Sequence, residues 1–337
     1  MIPLRHAKTL SLLCLLGCFS HSLPACSQTA SAASANVAAE PPAPTVGQSQ
    51  GDPWWTGPML ANSAATLPRG HFLIEPYLYD VTATHSNSFG SLTYMQYGLA
   101  DRLTVGLIPV FGYNKVSGGP NSSGVGLGDI SVQAQYRLTQ FHEGSWIPTI
   151  AFELQETFPT GKYDRLGNRP SDGLGSGAHT TTLQLNTQTY FRLANGRTLR
   201  MRFNVSQAYS NKVSVEDVSV YNTLEGFRGN AKPGSSFLAN AAWEYSMTQR
   251  WVLALDVTYR HNRNTRVSGY NVLDPHGMQE PPSIRHNSGP SVAFGFAPAL
   301  EYSWNANVGV LLGTRVVMGN RRTASTITPA IAINYVH

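Results

Sequence analysis

The sequence predicts an all-β fold: a closed antiparallel transmembrane β-barrel of about twelve strands, with an N-terminal signal peptide and a short linker ahead of it. Three observations carry this expectation. Apolar residues recur at every second position in about twelve short stretches, the period of a strand with one oily face. Tight and long connections alternate between those stretches. The single dense apolar run lies at the start of the chain, in the setting of an export signal.

Composition comes first. Of 337 residues only 13% are charged, against roughly 25% in soluble proteins, so a charged shell is not what suits this chain to its solvent. A hydrophobic content of 42% and a mean hydropathy of -0.18 leave no room for long apolar helical spans. Residues 10–19 are apolar, follow Arg5, His6 and Lys8, and precede small residues, which is the layout of a secretory signal too short to cross a bilayer. The three cysteines, Cys14, Cys18 and Cys26, all fall in this region, so the folded body has no disulfide, thiol nucleophile or cysteine metal site. Ala30-Ser31-Ala32 offers simple cleavage, while the boxes ending at Cys18 and Cys26 offer lipidation; both remain open. Loss of Arg5 and Lys8 lowers the formal charge of +5 by two, which is no nucleic-acid footprint.

The organisation expected is a signal peptide at 1–32, a flexible periplasmic linker rich in Ala, Pro, Ser and Gln at 33–52, a periplasmic plug or anchor at 53–70, and a barrel at 71–337. Strands begin near His71, Ser91, Leu103, Gly128, Trp146, Thr181, Thr198, Ser236, Arg250, Ser291, Asn307 and Thr326. In the clearest, Ile130, Val132, Ala134, Tyr136 and Leu138 share one face and polar residues fill the other. Leu199, Met201, Phe203 and Val205 oppose Arg200, Arg202, Asn204 and Ser206, and Trp251, Leu253, Leu255 and Val257 oppose a set that includes Asp256, Thr258 and Arg260. The first two strands are less regular. Pro76, Pro109 and Pro298 fall inside strands, where bulges would absorb them.

Tight turns at 98–102, 194–197, 247–250 and 304–307, with a middling one at 140–144, alternate with polar loops at 115–126, 159–179, 210–234 and 261–289; modest loops are expected at both ends of the barrel, the one near Asn320 short. Bacterial barrels have short periplasmic turns, long outer loops and both termini in the periplasm. Tyr136, Trp146, Phe191, Tyr245, Trp251, Tyr302, Trp304 and Tyr335 crowd the short-turn ends, as an interfacial girdle would. The last strand resembles the C-terminal assembly signal of outer-membrane proteins, except that it ends on His337 rather than an aromatic.

By alternation Asp129, Arg137, Glu153, Arg192, Arg200, Arg202, Glu244, Asp256, Arg260, Glu301 and Arg315 face the lumen. They can line a pore or pair with one another to brace it, and with both signs interleaved strong ion selectivity is not expected. The glycine runs at 118–128 and 173–177 lack a following helix and a Gly-Lys-Ser/Thr ending, so they read as flexible loops. His142, His179, His261, His276 and His286 have no metal-ligand spacing, and Gly-x-Ser-x-Gly is absent. No motif resembles the Asn, Ser and His of outer-membrane phospholipases. These features point away from an enzyme and imply no cofactor or metal. Basic loop residues, among them Lys115, Arg169, Arg263, Arg321 and Arg322, would sit beside anionic lipopolysaccharide. The adjacent Trp54 and Trp55 want burial, as a plug or gate at the periplasmic mouth or as an interfacial anchor.

Pro53-Trp54-Trp55-Thr56-Gly57-Pro58, Leu67-Pro68-Arg69-Gly70-His71, Tyr97-Gly98-Leu99-Ala100-Asp101-Arg102-Leu103 and Gly126-Leu127-Gly128-Asp129-Ile130 resemble the outer-membrane family labelled putative meta-pathway of phenol degradation. The likeness runs from about Trp54 to His337. It implies a barrel linked to the passage of aromatic and other hydrophobic solutes; its motifs are turns, so no solute-binding residue is carried over. The partners expected are outer-membrane lipid, lipopolysaccharide, the barrel-assembly machinery and a small hydrophobic solute, not nucleic acid. The alternative is a structural or surface-interaction barrel with a filled lumen and lipopolysaccharide-facing loops.

Overall fold

The computed structural model describes residues 53–272, 283–319 and 322–337. The expected signal peptide and linker, with Cys18 and Cys26 and their lipidation, lie outside the described residues, as do His276 and Arg321.

The chain forms β1 (Phe72–Ala83), β2 (Ser86–Ala100), β3 (Leu103–Ile108), β4 (Val110–Val116), β5 (Gly126–Leu127), β6 (Ile130–Thr139), β7 (Thr149–Phe158), β8 (Thr180–Arg192), β9 (Thr198–Ser210), β10 (Val213–Glu216), β11 (Phe227–Lys232), β12 (Ser236–Ser246), β13 (Trp251–Asn262), β14 (Arg266–Asn271), β15 (Ser283–Asn287), β16 (Ser291–Ser303), β17 (Val308–Met318) and β18 (Thr326–Val336). Fourteen of these make one antiparallel sheet, and β1 pairs with both β2 and β18, so the sheet closes on itself. Strands β3 and β4 are one crossing interrupted at Pro109, since both follow a single register along β2, and β5 is a two-residue stub; the wall therefore has twelve crossings. Closure leaves no unpaired backbone row to meet lipid. Reciprocal bonds between Phe72 and His337, 3.0 and 2.9 Å, complete the seam.

Alternation sorts side chains by solvent. Along β18 every second residue is buried while Ile327, Ile331, Ile333 and Tyr335 point outward, and along β13 Leu253, Leu255 and Val257 do the same. The outward faces meet hydrocarbon. At the short-turn rim the rings of Trp251 and Tyr302 lie 4.6 Å apart and those of Phe72 and Tyr335 5.8 Å apart, forming part of an aromatic girdle.

Two expectations need correcting. At Pro76 and Pro298 the expected bulges are absent, since register runs unbroken on both sides; at Pro109 it is continuous along β2 but slips by one residue on the other side, between Ile108/Ser131 and Phe111/Leu127. Proline lacks only the donor to one neighbour, so a strand paired on its other side stays extended. Further shifts lie near the short turns, at Gly98/Ala100 and Arg137/Thr139. The irregular pattern of β1 and β2 has another cause. Their inward residues include buried Leu73, Tyr77, Leu92 and Tyr94, so both faces of this part of the wall are apolar and alternation is masked.

The loops are also more ordered than polar composition suggests. Strands β10, β11, β14 and β15 form a separate four-stranded sheet at the long-loop end. Val213, Val215, Phe227, Ala231 and Val267 make its small core, with Ala178, and Tyr163 and Tyr221 pack against it. The β1–β2 connection is only Thr84 and His85, since β2 begins at Ser86, five residues before the expected start. Expected as a modest outer loop, it is a tight hairpin.

Candidate functional site

Residues 54–70 run inside the barrel as a hairpin that enters and leaves by the short-turn end. At the entrance Trp54 donates its backbone N–H to the Gln249 carbonyl at 2.8 Å. At the exit the Gly70 amide binds the Gly98 carbonyl, also at 2.8 Å, just before β1. Between these points most residues are buried, and lumen side chains take up the polar backbone groups that a strand ladder would otherwise satisfy.

The descending arm meets acids. One oxygen of Glu301 accepts the Thr56 N–H, the Thr56 hydroxyl and the Gly57 N–H, each at 2.9 Å. The Asp256 carboxylate accepts the Leu60 amide at 3.1 Å and the Asn240 side chain at 3.1 Å. At the bend Arg202 donates to the Ala61 carbonyl at 2.9 Å, Asn204 to the Asn62 carbonyl at 3.0 Å, and Asn62 to Glu153 at 3.0 Å. The ascending arm meets amides and hydroxyls. Ser63 donates to Gln188 at 3.1 Å, Gln135 to the Ala65 carbonyl at 2.9 Å, and Leu67 to the Thr104 hydroxyl at 2.8 Å.

Space for the hairpin comes from small wall residues. A Cβ on Gly309 would stand 1.9 Å from the Thr56 methyl, and one on Gly98 1.9 Å from the Pro68 carbonyl oxygen. Met59, Leu60 and Leu67 pack with Leu73, Tyr77, Leu92, Tyr94, Ile108 and Leu311, so the lumen has an apolar side along β17, β18, β1, β2 and β4. Its opposite side, along β6 to β9 and β12, is polar. The hairpin is amphipathic to match.

The inward charges fall into three groups. Glu244 on β12 pairs with Arg200 directly opposite on β9, in a two-bond contact, and accepts Arg202 Nε at 3.1 Å. All three are buried, and the pairing joins adjacent strands rather than bridging the lumen. Trp55 lies over this triad, with the Arg200 guanidinium 4.4 Å from its ring and Tyr190 6.4 Å away. Trp54 lies at the rim with Arg250 5.7 Å from its ring; both tryptophans are half-buried. Glu153, Asp256 and Glu301 hold the hairpin, while Arg260 and Arg315 also face inward.

Three expected lining residues lie elsewhere. Arg137 and Arg192 have inward parity but sit where the strands pass the rim: Arg137 binds the Asp101 carbonyl at 3.1 Å, and Arg192 pairs with Glu143 of the β6–β7 turn at 2.9 Å. Asp129 is at the opposite mouth, where its oxygens accept Gly161 N–H at 3.0 Å and the Ser176 N–H and hydroxyl, both at 2.7 Å; it staples the 159–179 loop. Alternation gives the face of a residue, not its depth. One inward acid escapes sequence reading: Glu75 on β1 is fully buried. Its parity along β1 could have found it, had the apolar inner face not hidden the alternation.

The sequence matches the family described as Putative MetA-pathway of phenol degradation over residues 57–321. The chain belongs to this family. The matched span takes in most of the inner hairpin and the wall as far as β17, leaving out β18. In architecture it is similar to an outer membrane channel from Pseudomonas putida F1, with 15% identity and a TM-score of 0.58 over 81% of this chain and 98% of that one. That likeness speaks to the outer-membrane barrel fold alone. The β domain of the Bordetella autotransporter Brka (9% identity, TM-score 0.43, 80% and 100% coverage) and the NanC porin (10%, 0.39, 78% and 98%) are too distant to bear on this chain. No curated protein matches the sequence.

Proposed function

We propose that this barrel is a passive outer-membrane channel for small solutes, with the short turns and both termini in the periplasm and residues 53–68 as a removable closure of the periplasmic mouth. Trp54 and Trp55 hold the closure at its rim. The inner hairpin carries the reading. It returns to the mouth it entered by, and within the lumen its partners are mainly side chains, so the wall's own backbone ladder is complete without it. A channel lid needs that independence; a structural core does not.

The solutes that fit are small aromatic compounds carrying a polar group. The apolar side of the lumen favours a ring, the polar side favours hydroxyl, amide or carboxyl substituents, and the family description agrees. The alternative of a filled, structural barrel with lipopolysaccharide-facing loops draws support from the buried Arg200–Glu244–Arg202 triad, which braces one side of the mouth.

Planar-bilayer recording on the full chain and on a variant lacking residues 53–68 separates the two. The channel reading expects infrequent openings in the first and sustained conductance in the second. A lumen that stays sealed after the deletion, in protein that still migrates as a heat-modifiable barrel, overturns it.

A further inference from the structure

At the long-loop end, beyond the bend of the hairpin, lies a cavity of about 290 Å³ between the barrel mouth and the loop sheet. Its wall is made by the upper ends of β7, β8, β9, β12, β13 and β16, and its roof by loop residues including Tyr221, Thr265 and His286. The size is near the lower end of the ~300–1,000 Å³ typical of small-molecule sites. One single-ring solute with a few waters would fill it.

The chemistry of the lining is one-sided. Arg260, Arg263 and Arg322 contribute cationic side chains, and no Asp or Glu is among the described lining residues; the acid Asp129 stands behind the lining with its carboxylate bound by Ser176. Deeper in the barrel the charges are mixed, with Glu153, Glu244, Asp256 and Glu301 beside Arg200 and Arg202. The rest of the vestibule is hydroxyl and amide, already ordered by its own contacts. Thr180 and Ser210 share a bond of 2.8 Å, Ser236 donates to Asn262 at 2.7 Å, and Asn262 donates to Ser291 at 3.2 Å. Arg322 is braced as well, with Nη1 3.3 Å from the Pro290 carbonyl and its guanidinium against Gly289.

We infer that this vestibule is a binding site for small organic carboxylates, which it collects before they pass inward. Guanidinium groups recognise carboxylate through planar, charge-assisted hydrogen bonds, and a concave site lined by an excess of cations raises the local concentration of anions. The ordered hydroxyl belt takes the remaining polar substituents, and Leu238, Val220 and Val267 offer contact to a ring. The inference deepens the channel reading by naming the solute class, and it rests on that reading for transport but not for binding.

The test is calorimetric titration of the whole detergent-folded protein with benzoate, benzyl alcohol and inorganic phosphate. Benzoate is expected to bind at least about tenfold more tightly than benzyl alcohol, the neutral ring, and more tightly than phosphate. The double variant Arg263→Glu/Arg322→Glu, altered in loop residues, should erase the benzoate preference while retaining heat-modifiable migration; Arg260→Gln, on the wall, should weaken it separately. Equal binding of benzoate and benzyl alcohol, tighter binding of phosphate, or a preference unchanged in the folded double variant overturns the assignment. Conductance separates this from the channel reading. Benzoate binding in a barrel that never conducts keeps the site and removes the channel, whereas conductance without carboxylate preference does the reverse.

Discussion

Glu301 is the strongest single hold on the inner hairpin. Its Oε2 accepts three hydrogen bonds from Thr56 and Gly57, all at 2.9 Å, and its side chain is fully buried. Leaving a buried donor without its partner costs about 1–3 kcal/mol. Because three donors share one oxygen, their loss is not additive, and about 3–4 kcal/mol is the reasonable total. At about 1.4 kcal/mol per decade this shifts the balance between seated and released hairpin by two to three orders of magnitude. Glu301→Ala should therefore raise channel open probability by at least about a hundredfold. A reporter follows the same equilibrium: Ala61→Cys, at the buried bend, in a background whose three natural cysteines are serine. Its labelling by an impermeant thiol reagent should accelerate by a similar factor if opening is fast relative to labelling. Glu301→Gln keeps one carbonyl acceptor in place of the carboxyl group and should fall between. Unchanged labelling and gating in folded Glu301→Ala protein would refute the argument that these bonds seat the hairpin.

Further expectations concern the wall, the mouth and the loops. Gly309→Val places carbon where only 1.9 Å separates an added Cβ from Thr56, so it should unseat the same arm without touching Glu301, with the same labelling readout. Glu244→Gln strips the counter-charge from buried Arg200 and Arg202 and should cost about 3–5 kcal/mol in denaturant unfolding. Leu255→Arg, on the lipid face of β13, should cost about 2–4 kcal/mol in a bilayer, whereas Ala254→Ser, on its inner face, should cost far less. In the 210–234 loop, the Arg228 guanidinium and then the Gly226 amide hold the Asp217 carboxyl below its usual range. A depressed folded pKa means that the loop's stabilisation is full above the unfolded value of about 3.9 and fades as pH falls through the lower folded value. The protection factor of the Gly226 amide, with its intrinsic pH-dependent exchange divided out, should fall over that acid window and stay flat above it.

What was legible in the sequence was what local periodicity encodes. Strands such as β13 and β18 carry one oily face against lipid and one polar or small face inside, so their limits and orientation follow from every second residue. β1 was harder because Leu73 and Tyr77 face an apolar hairpin rather than water, and Glu75 was lost among them. The four-stranded loop sheet went unread because its pairs are short and its core is a handful of residues, Val215 and Phe227 among them, in otherwise polar loops. The hairpin's partners were beyond reach for another reason: Thr56 and Glu301 are 245 positions apart, and nothing near either names the other. The two tryptophans signalled that the segment wanted cover, without saying that Thr56 to Leu67 would lie deeper than they do.

The hairpin's path also governs how it can move. Its two limbs share one opening, and its downstream limb joins the wall through Gly70, whose φ of +86° and open surroundings suit a pivot. A loop shaped in this way never has to be threaded. In the channel we propose, it is drawn out and pushed back like a latch on a hinge, in a barrel already sealed, with the strands around it left undisturbed.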